Sequence, residues 1–389
     1  MPDEKPEKKD GVTNGADTAA SPRPPSADAD HGRPFRGEPA AASPAAASPA
    51  KKEPKSAPPK KTEIPSHLLK ELRAGRVVVF IGSGFTAPAG FPTWKSLLLG
   101  ISDRAFAEGK VEASTVELVK DLLRAPRPAA HEYDQAAQVL DDELKTECHG
   151  FQEELVRHLR ALLHPKAMPL PASVERRIQT IRELPFRAIL TTNYNPLLRG
   201  ITPFDARAAA VYRRILRGEA QSGVDAGEAS LRESDNRGVA FSTGEELKYA
   251  EDCAPVVQCH GNLHDPASVV LTHEGYRQLL YKCPNYHTFM KACLAQYTVL
   301  YLGFSFTDAY LNELNSEVLS MIGPNGPPIA YTIMADKSER ECDFNRKHRG
   351  MHTLSWSMAE EGFDGFDRIL EDLAHAAAAA PEEEKKLVA

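Results

Sequence analysis

Short runs of β-branched and aromatic residues, separated by longer amphipathic segments, constrain the fold of this chain most strongly. The first run, at residues 76–81, is apolar at almost every position rather than at alternate ones. Such continuity is typical of a strand that is covered on both faces of a parallel sheet. Similar runs occupy residues 187–192, 255–260, 297–302 and 328–334, and a shorter one occupies 269–272. Because helical segments separate the runs, the pattern predicts an α/β fold with a doubly wound parallel sheet.

The two ends of the chain differ in composition from this alternating core. Residues 1–65 contain 13 Pro and 13 Ala, and their 11 basic side chains nearly cancel 10 acidic ones. Such a segment buries too little apolar surface to offset its conformational entropy, so we expect a disordered Pro/Ala-rich tail. Residues 376–389 are expected to form a flexible C-terminal tail. The intervening residues 66–375 are sufficient for one folded domain.

Two stretches inside this domain depart from the alternation of strands and helices. Residues 111–165 carry helical patterns without a strand and predict a helical insertion. Residues 201–252 are rich in Gly, Ser, Arg and Glu and predict a variable surface insertion, with a helix around 206–216. At the start of the domain, a helix is expected at 66–74 with Ser66 as its cap. A basic cluster is expected to form a solvated helix face rather than a phosphate clamp: Arg176, Arg177, Arg182 and Arg187.

Composition argues against several classes of protein. The 47 Lys and Arg residues against 54 Asp and Glu residues leave a net charge of −7, which disfavours a general nucleic-acid binder. No apolar run approaches the roughly 20 residues of a membrane-spanning helix, and the charged stretch at 1–10 is unlike a secretory signal. Six cysteines without a C-x-x-C pair disfavour a disulfide scaffold and a structural zinc site. Reduced thiols in the cytoplasm are the expected state.

A glycine-rich turn follows the first predicted strand. Its sequence is Gly82-Ser83-Gly84-Phe85-Thr86, and Pro92 and Trp94 come shortly afterwards. Two glycines allow a sharp turn and let the backbone approach a pyrophosphate, whose charge is met by N–H groups. A plain strand-to-helix turn would explain the same residues equally well. The absence of a following Gly-Lys-Ser/Thr excludes a P-loop.

Polar residues also follow three other predicted strands. Asn193 follows the second, and its amide could orient a ribose hydroxyl or a water, or could cap a turn. His260 and Gly261 follow the third, where an imidazole could act as a general base or pack as a core histidine. The run at 297–302 is followed by Gly303-Phe304-Ser305-Phe306-Thr307-Asp308. Because ligands of parallel sheets bind beyond the carboxyl ends of the strands, these segments are the candidate site.

Taken together, the motifs G-S-G-F-T…G-F-P-T-W, T-T-N-Y-N, H-G-N and G-F-S resemble the sirtuin-like superfamily, in its bacterial NAD-hydrolase branch without zinc. The resemblance covers residues 77–336 and implies a Rossmann-like domain that binds NAD as substrate. It implies that the pyrophosphate contacts Gly82, Ser83, Gly84, Phe85 and Thr86. It also implies that Pro92 and Trp94 wall the nicotinamide, and that Gly303 and Ser305 bind the adenosine half, with Asp308 stabilising that loop. Asn193 and His260 would be catalytic, the latter as the base.

The departures from the family pattern narrow the expected activity. The four cysteines of the deacetylating branch have no counterpart after His260, so neither zinc nor another metal is expected. Asn195 stands where the family usually has Asp, and Ser83 where it often has Ala. His264 follows His260 by four residues, but a metal pair of this kind would require a helix there.

The resemblance implies an NAD glycohydrolase that releases nicotinamide and ADP-ribose, with a possible role in antiphage defence. Three alternatives remain open: an ADP-ribosyltransferase, a deacylase, or a non-catalytic module that binds NAD or ADP-ribose. Family members often assemble, so a homo-oligomer or an activating protein partner is a further expectation. Neither a membrane nor nucleic acid is an expected partner.

Overall fold

The computed structural model describes residues 62–125, 128–147, 154, 157, 170–195, 197–198, 200–205, 208–218, 254–263, 265–304, 306, 308–322 and 328–379. The predicted N-terminal tail up to residue 61, residues 219–252 of the variable insertion and the last ten residues therefore lie outside the described residues. Ser305, His264, Cys148 and Cys253 also lie outside them.

Six parallel strands form one sheet in the described part of the chain. They are β1 (Val77–Ile81), β2 (Ala188–Thr191), β3 (Val256–Gln258), β4 (Thr298–Leu302), β5 (Ala330–Ala335) and β6 (Met351–Trp356). Their order across the sheet is β3-β2-β1-β4-β5-β6. This order confirms the doubly wound α/β fold, and it reverses direction between β1 and β4, where ligands of such sheets bind.

One expected strand is wrong, and one strand of the sheet was not expected. Residues 269–272 form no strand; Val269, Val270 and Leu271 are buried against neighbouring loops and helices, and Thr272 caps the next helix. Their apolar character therefore reflects packing rather than strand pairing. Conversely, β6 was not expected, because His352, Thr353 and Ser355 of this edge strand are half-buried or exposed and interrupt its apolar run.

Twelve helices surround the sheet among the described residues. They are α1 (Ser66–Arg73), α2 (Trp94–Ala107), α3 (Ala113–Leu122), α4 (Ala130–Glu147), α5 (Ala172–Glu183), α6 (Ala208–Arg217), α7 (His273–Lys282), α8 (Pro284–Gln296), α9 (Ala309–Ile322), α10 (Glu339–Arg349), α11 (Met358–Glu361) and α12 (Asp364–Ala378). Side chains of α6, α8 and α9 share a core with one face of the sheet, and those of α1, α5 and α12 share a core with the other. The helix expected around 206–216 is α6.

The helices α2, α3 and α4 form a third apolar core, which we call the helical cluster. Its buried side chains include Leu98, Val119 and Leu140, and it incorporates Tyr194 and Leu263 from the segments after β2 and β3. The helical cluster therefore covers the carboxyl ends of these two strands. Its two later helices lie within the helical insertion expected at 111–165.

The ends of the folded region differ in detail from expectation. Pro65, not Ser66, occupies the cap position of α1, and no side chain caps this helix. Helix α12 continues to Ala378, past the expected boundary at 375, and Arg73 donates hydrogen bonds to the carbonyls of Ala376 and Ala379. In the described part of the chain, no helix has the length and apolar character needed to cross a bilayer.

Candidate active site

Three glycines lie against one another at the point where the strand order reverses. Gly82 and Gly84 follow β1, Gly303 follows β4, and the Gly84 N–H donates to the Gly303 carbonyl at 2.9 Å. A Cβ on Gly303, which has φ +60°, would lie 2.1 Å from the Phe85 nitrogen. A Cβ on Gly82 would lie 2.7 Å from the Gly303 carbonyl oxygen. The close approach of the two loops thus requires glycine at these positions.

The rest of the glycine-rich segment forms two short 3₁₀ turns, Ser83–Phe85 and Ala87–Ala89. Thr86 is fully buried and donates its hydroxyl to the Ser83 carbonyl at 3.3 Å. The ring of Phe85 is also fully buried and packs edge-on against Phe366 of α12. The Phe85 N–H is also engaged, since it donates to the Gly82 carbonyl at 3.1 Å, whereas Ser83 and Gly84 are half-buried.

Arg177 of α5 supports this segment on the face of the sheet that α5 and α12 cover. It is 2% exposed, forms an ion pair with Asp367 of α12 and donates to the Phe85 carbonyl at 2.7 Å. Its guanidinium carbon also lies 4.6 Å from the centre of the Phe366 ring. The expectation of a solvated helix face is therefore wrong for Arg177. It is also wrong for Arg187, which donates to the carbonyls at the end of α6.

Two asparagine side chains fix the conformation of the segment that follows β2. Asn193 is buried, and its Nδ2 donates to the Gly82 carbonyl at 3.2 Å, which ties the ends of β1 and β2 together. Asn195 is buried as well: its Oδ1 accepts the Leu197 N–H at 3.3 Å, and its Nδ2 lies 3.4 Å from Thr86 Oγ1. The Asn195 side chain is thus engaged in the turn.

Asn193 and His260 occupy equivalent positions on neighbouring strands. Thr191 of β2 pairs with Gln258 of β3, and the two candidate residues each follow their partner by two positions. Since neighbouring strands are separated by about 4.8 Å, this register brings the two segments to the same level of the sheet edge.

The imidazole of His260 is paired with a carboxylate. His260 is 0% exposed, and its Nε2 lies 3.2 Å from Asp308 Oδ2. Asp308 also accepts the Leu311 N–H at 2.9 Å, which caps α9, and the Tyr276 hydroxyl at 3.1 Å. Burial opposes the charge of Asp308, but these donors outweigh burial and hold the pKa of its carboxyl below the ordinary value.

Neither ring nitrogen of His260 makes a well-aligned hydrogen bond among the described residues, so Nε2 meets the Asp308 carboxylate by proximity and Nδ1 has no partner there. Trp94 lies on one side of the ring at 6.1 Å between centroids, and Tyr276 on another at 5.4 Å. Gly261, with φ +85°, lets the chain pass Ser268, whose carbonyl oxygen a Cβ would approach to 2.0 Å. An unpartnered polar atom at full burial is unusual and commonly marks a functional site.

The sequence did not predict a cavity at the other half of the sheet edge. A cavity of about 410 Å³ opens beside the carboxyl ends of β4 and β5, lined in part by Phe306, Met334, Lys337, Arg340, Phe344 and Arg349. Phe306 adopts φ +56°, and its carbonyl accepts the Asn312 amide at 2.7 Å. No sequence motif marked this cavity, and the spacing of Arg340 and Arg349 along α10 gave no sign that both line it.

Asp134 of α4 was also missed, because the helical insertion gave no sign of contact with the strand ends. Of the residues implied by the resemblance, the structure places His260 beside both Trp94 and Asp308, and it joins Asn193 to the glycine-rich segment. Pro92 is half-buried ahead of α2, and Ser305 lies outside the described residues.

No group of three or more His, Cys, Asp or Glu side chains suited to a metal ion occurs among the described residues. Four cysteines lie in that part of the chain, at 259, 283, 293 and 342, and all are free thiols. Burial raises the pKa of Cys259, next to the imidazole, to about 12, so this thiol is protonated and unreactive at neutral pH.

A family model described as the SIR2-like domain matches residues 187–352. The matched region contains Asn193, His260, Gly303 and Asp308, whereas the glycine-rich segment after β1 precedes it. The match supports a place for the chain in the sirtuin-like superfamily, whose members use NAD. No curated protein matches the chain at a significant level.

Proposed function

We propose that this sirtuin-like chain binds NAD across the carboxyl edge of its sheet and hydrolyses the nicotinamide–ribose bond. The SIR2-like domain supports the use of NAD. The observation that carries the proposal of hydrolysis is the fully buried His260, whose Nε2 lies 3.2 Å from the Asp308 carboxylate and whose ring nitrogens make no well-aligned hydrogen bond among the described residues.

The His260–Asp308 pair supports a role for the imidazole as general base. We assign the ring proton to Nε2, which lies 3.2 Å from the carboxylate, and this leaves the proton-accepting lone pair on Nδ1. A water oxygen would bond to the ribose carbon while the electron pair of the broken C–N bond leaves with nicotinamide. The water proton passes to Nδ1, so NAD and water give nicotinamide, ADP-ribose and a proton. Asn193 would orient the water or a ribose hydroxyl through its amide.

The two ends of NAD would use different parts of the edge. The pyrophosphate would lie beside the segment Gly82, Ser83, Gly84, Phe85 and Thr86. Since the N–H groups of its other four residues donate to protein carbonyls, the Ser83 N–H would be the backbone donor to the phosphate oxygens. The nicotinamide would lie beside Pro92 and Trp94, near His260. The adenosine half would lie beyond Gly303 and Ser305, toward the basic cavity, whose charge suits phosphate oxygens.

The test is incubation of the purified protein with NAD, followed by chromatography of nicotinamide and ADP-ribose. We expect His260→Ala and Asn193→Ala each to lower the rate by about 10²–10⁴-fold. The exposed His375 provides a matched control, since His375→Ala should leave the rate unchanged. Equal rates for all four proteins would refute the assignment. Binding without turnover would instead select the non-catalytic module, and ADP-ribose attached to protein would select a transferase.

We also propose that this activity acts in the cytoplasm as an antiphage effector, a role that rests on the resemblance alone. The measurement is the NAD content of cells that express the protein, with and without phage infection. A loss of NAD that depends on both infection and His260 is the expected result. Unchanged NAD in infected cells would contradict it.

A further inference from the structure

Asp134 is a titratable group close to the candidate site that the proposed mechanism does not use. It follows Tyr133, whose ring packs edge-on against Trp94 at 5.9 Å between centroids. Trp94 in turn lies 6.1 Å from the His260 ring. The first turns of α4 therefore lie beside the imidazole, and Asp134 itself is half-buried.

The side of α4 that carries Asp134 faces α7. Asp134 and Gln138 are four residues apart and so lie on one stripe of the helix. Gln138 Oε1 accepts the backbone N–H of Glu274, in the first turn of α7, at 3.0 Å. Tyr276 follows on the same helix and donates to Asp308. The stripe thus faces the helix that carries Tyr276, the hydroxyl donor to Asp308.

The charged and titratable groups around Asp134 come from several elements. They are His131 on its own helix, Tyr194 after β2, His260 after β3, Tyr276 on α7 and Asp308 ahead of α9. Burial and the Asp308 carboxylate raise the pKa of Asp134 to about 6, while His260 and His131 oppose this change. Because the pKa of Asp308 is lowered, Asp134 is the carboxylate that takes a proton first as the pH falls.

We propose that Asp134 is the substrate-facing carboxylate of this site and stabilises the positive charge of the nicotinamide–ribose end of NAD. The inference rests on the proposed function. The nicotinamide ring of NAD is cationic, and the positive charge moves onto the ribose as the C–N bond breaks. A fixed carboxylate in a partly desolvated position stabilises such a charge more strongly than water does. Asn195, where the family usually has Asp, is neutral and engaged in its turn.

The raised pKa of Asp134 also predicts how the stability of the fold depends on pH, which can be measured without an activity assay. The pKa of Asp134 lies above the ordinary value of 3.8, so the folded protein binds this proton more tightly than the unfolded chain does. The stabilising effect is complete below the ordinary value and is lost as the pH rises through about 6. Asp134→Asn should therefore unfold at higher urea concentration than wild type at pH 8, with a smaller difference at pH 5.

The experiment measures kcat and KM between pH 5 and 9 for wild type, Asp134→Asn and Asp134→Glu. We expect wild-type kcat to fall as the pH drops through about 6. We expect the kcat of Asp134→Asn at pH 8 to be about 10- to 100-fold lower than that of wild type, and to change less with pH. Asp134→Glu should recover part of the loss. Glu117→Gln, which changes an exposed acidic residue of the neighbouring helix α3, should match wild type. A pH profile of Asp134→Asn that coincides with wild type would overturn the proposal.

A wild-type protein that does not consume NAD would refute the proposed function, and calorimetry with NAD would then decide this inference. Wild-type affinity that weakens below pH 6, with weaker and pH-independent affinity in Asp134→Asn, would support the substrate-facing carboxylate. Equal affinities at every pH, or no binding by either protein, would overturn it. Urea unfolding of each variant confirms that the proteins compared are folded.

Discussion

The carboxyl edge of the sheet has two halves that differ in their exposure to water. The closed half comprises the ends of β1, β2 and β3, where His260 is 0% and Asn193 6% exposed beneath the helical cluster. The open half comprises the ends of β4 and β5 with the facing side of α10, where Phe344 is 53% exposed beside basic side chains. Both halves lie beyond the strands of one sheet, so burial rather than topology distinguishes them.

This difference in exposure to water gives the charged groups of the two halves different strengths. In the closed half, each charge acts at low effective dielectric, so the loss of one partner leaves an uncompensated group and has a large effect. In the open half, water and salt screen the arginines and lysines, and single contacts contribute little. We therefore expect the closed half to determine the rate of the proposed reaction and the open half to adjust the affinity for substrate.

Asp308→Asn is expected to have the largest effect, because Asp308, although it follows β4, is buried against His260 of the closed half. Without the carboxylate, Nε2 loses the acceptor that fixes the ring proton, and kcat should fall by about 10²–10⁴-fold with less change in KM. Asparagine caps helices as well as aspartate does, so α9 should still begin correctly. The measurement is steady-state NAD hydrolysis.

Asp336→Asn is the matched control for that experiment, because Asp336 also accepts a backbone N–H, from Met358, but lies outside the closed half. We expect it to retain wild-type kcat. If both variants lost activity to the same extent, the effect would reflect loop structure rather than the pairing with His260, and the contrast between the halves would be lost.

The next prediction compares two ion pairs that join α5 to α12. Arg177–Asp367 is buried and supports the glycine-rich segment, whereas Arg176–Glu371 is exposed, with side chains 65% and 42% accessible. Arg177→Met should reduce the free energy of unfolding by about 3–5 kcal/mol, because Asp367 is left without its partner. Arg176→Met should reduce it by about 0–1 kcal/mol. Urea unfolding of both variants measures the difference, and equal losses would show that burial of the pair is not what matters.

The sequence predicts the local features of this fold but not the contacts between residues far apart in the chain. Strand runs and glycine turns are local patterns, so β1 to β5 and the segments at their ends were correctly located. The pairing of His260 with Asp308 joins residues 48 positions apart, and Arg177 meets Asp367 across 190 positions. No local periodicity encodes such contacts. The Arg177 side chain was therefore interpreted as solvated, although it is among the most buried in the protein.

Asp134 and β6 were missed for two different reasons. Asp134 is one acidic residue on an amphipathic helix, and only the packing of α4 on α7 brings it to the strand ends. Strand β6 lies at the sheet edge, where half-exposed positions hide the apolar pattern. The roles of Asn193, His260 and the other site residues, which came from the family resemblance, stay predictions that the mutations above address.

The smallest effect is expected in the open half. Arg349 lies 5.9 Å from the centre of the exposed Phe344 ring at the cavity. Arg349→Ala should raise KM for NAD by about 2- to 5-fold and leave kcat unchanged, because a screened contact contributes about 1 kcal/mol or less. Higher salt should reduce the difference from wild type. Lys347→Ala, on the same helix and exposed, is the control and should match wild type. A loss of kcat in Arg349→Ala as large as that in Asp308→Asn would show that the two halves act as one site.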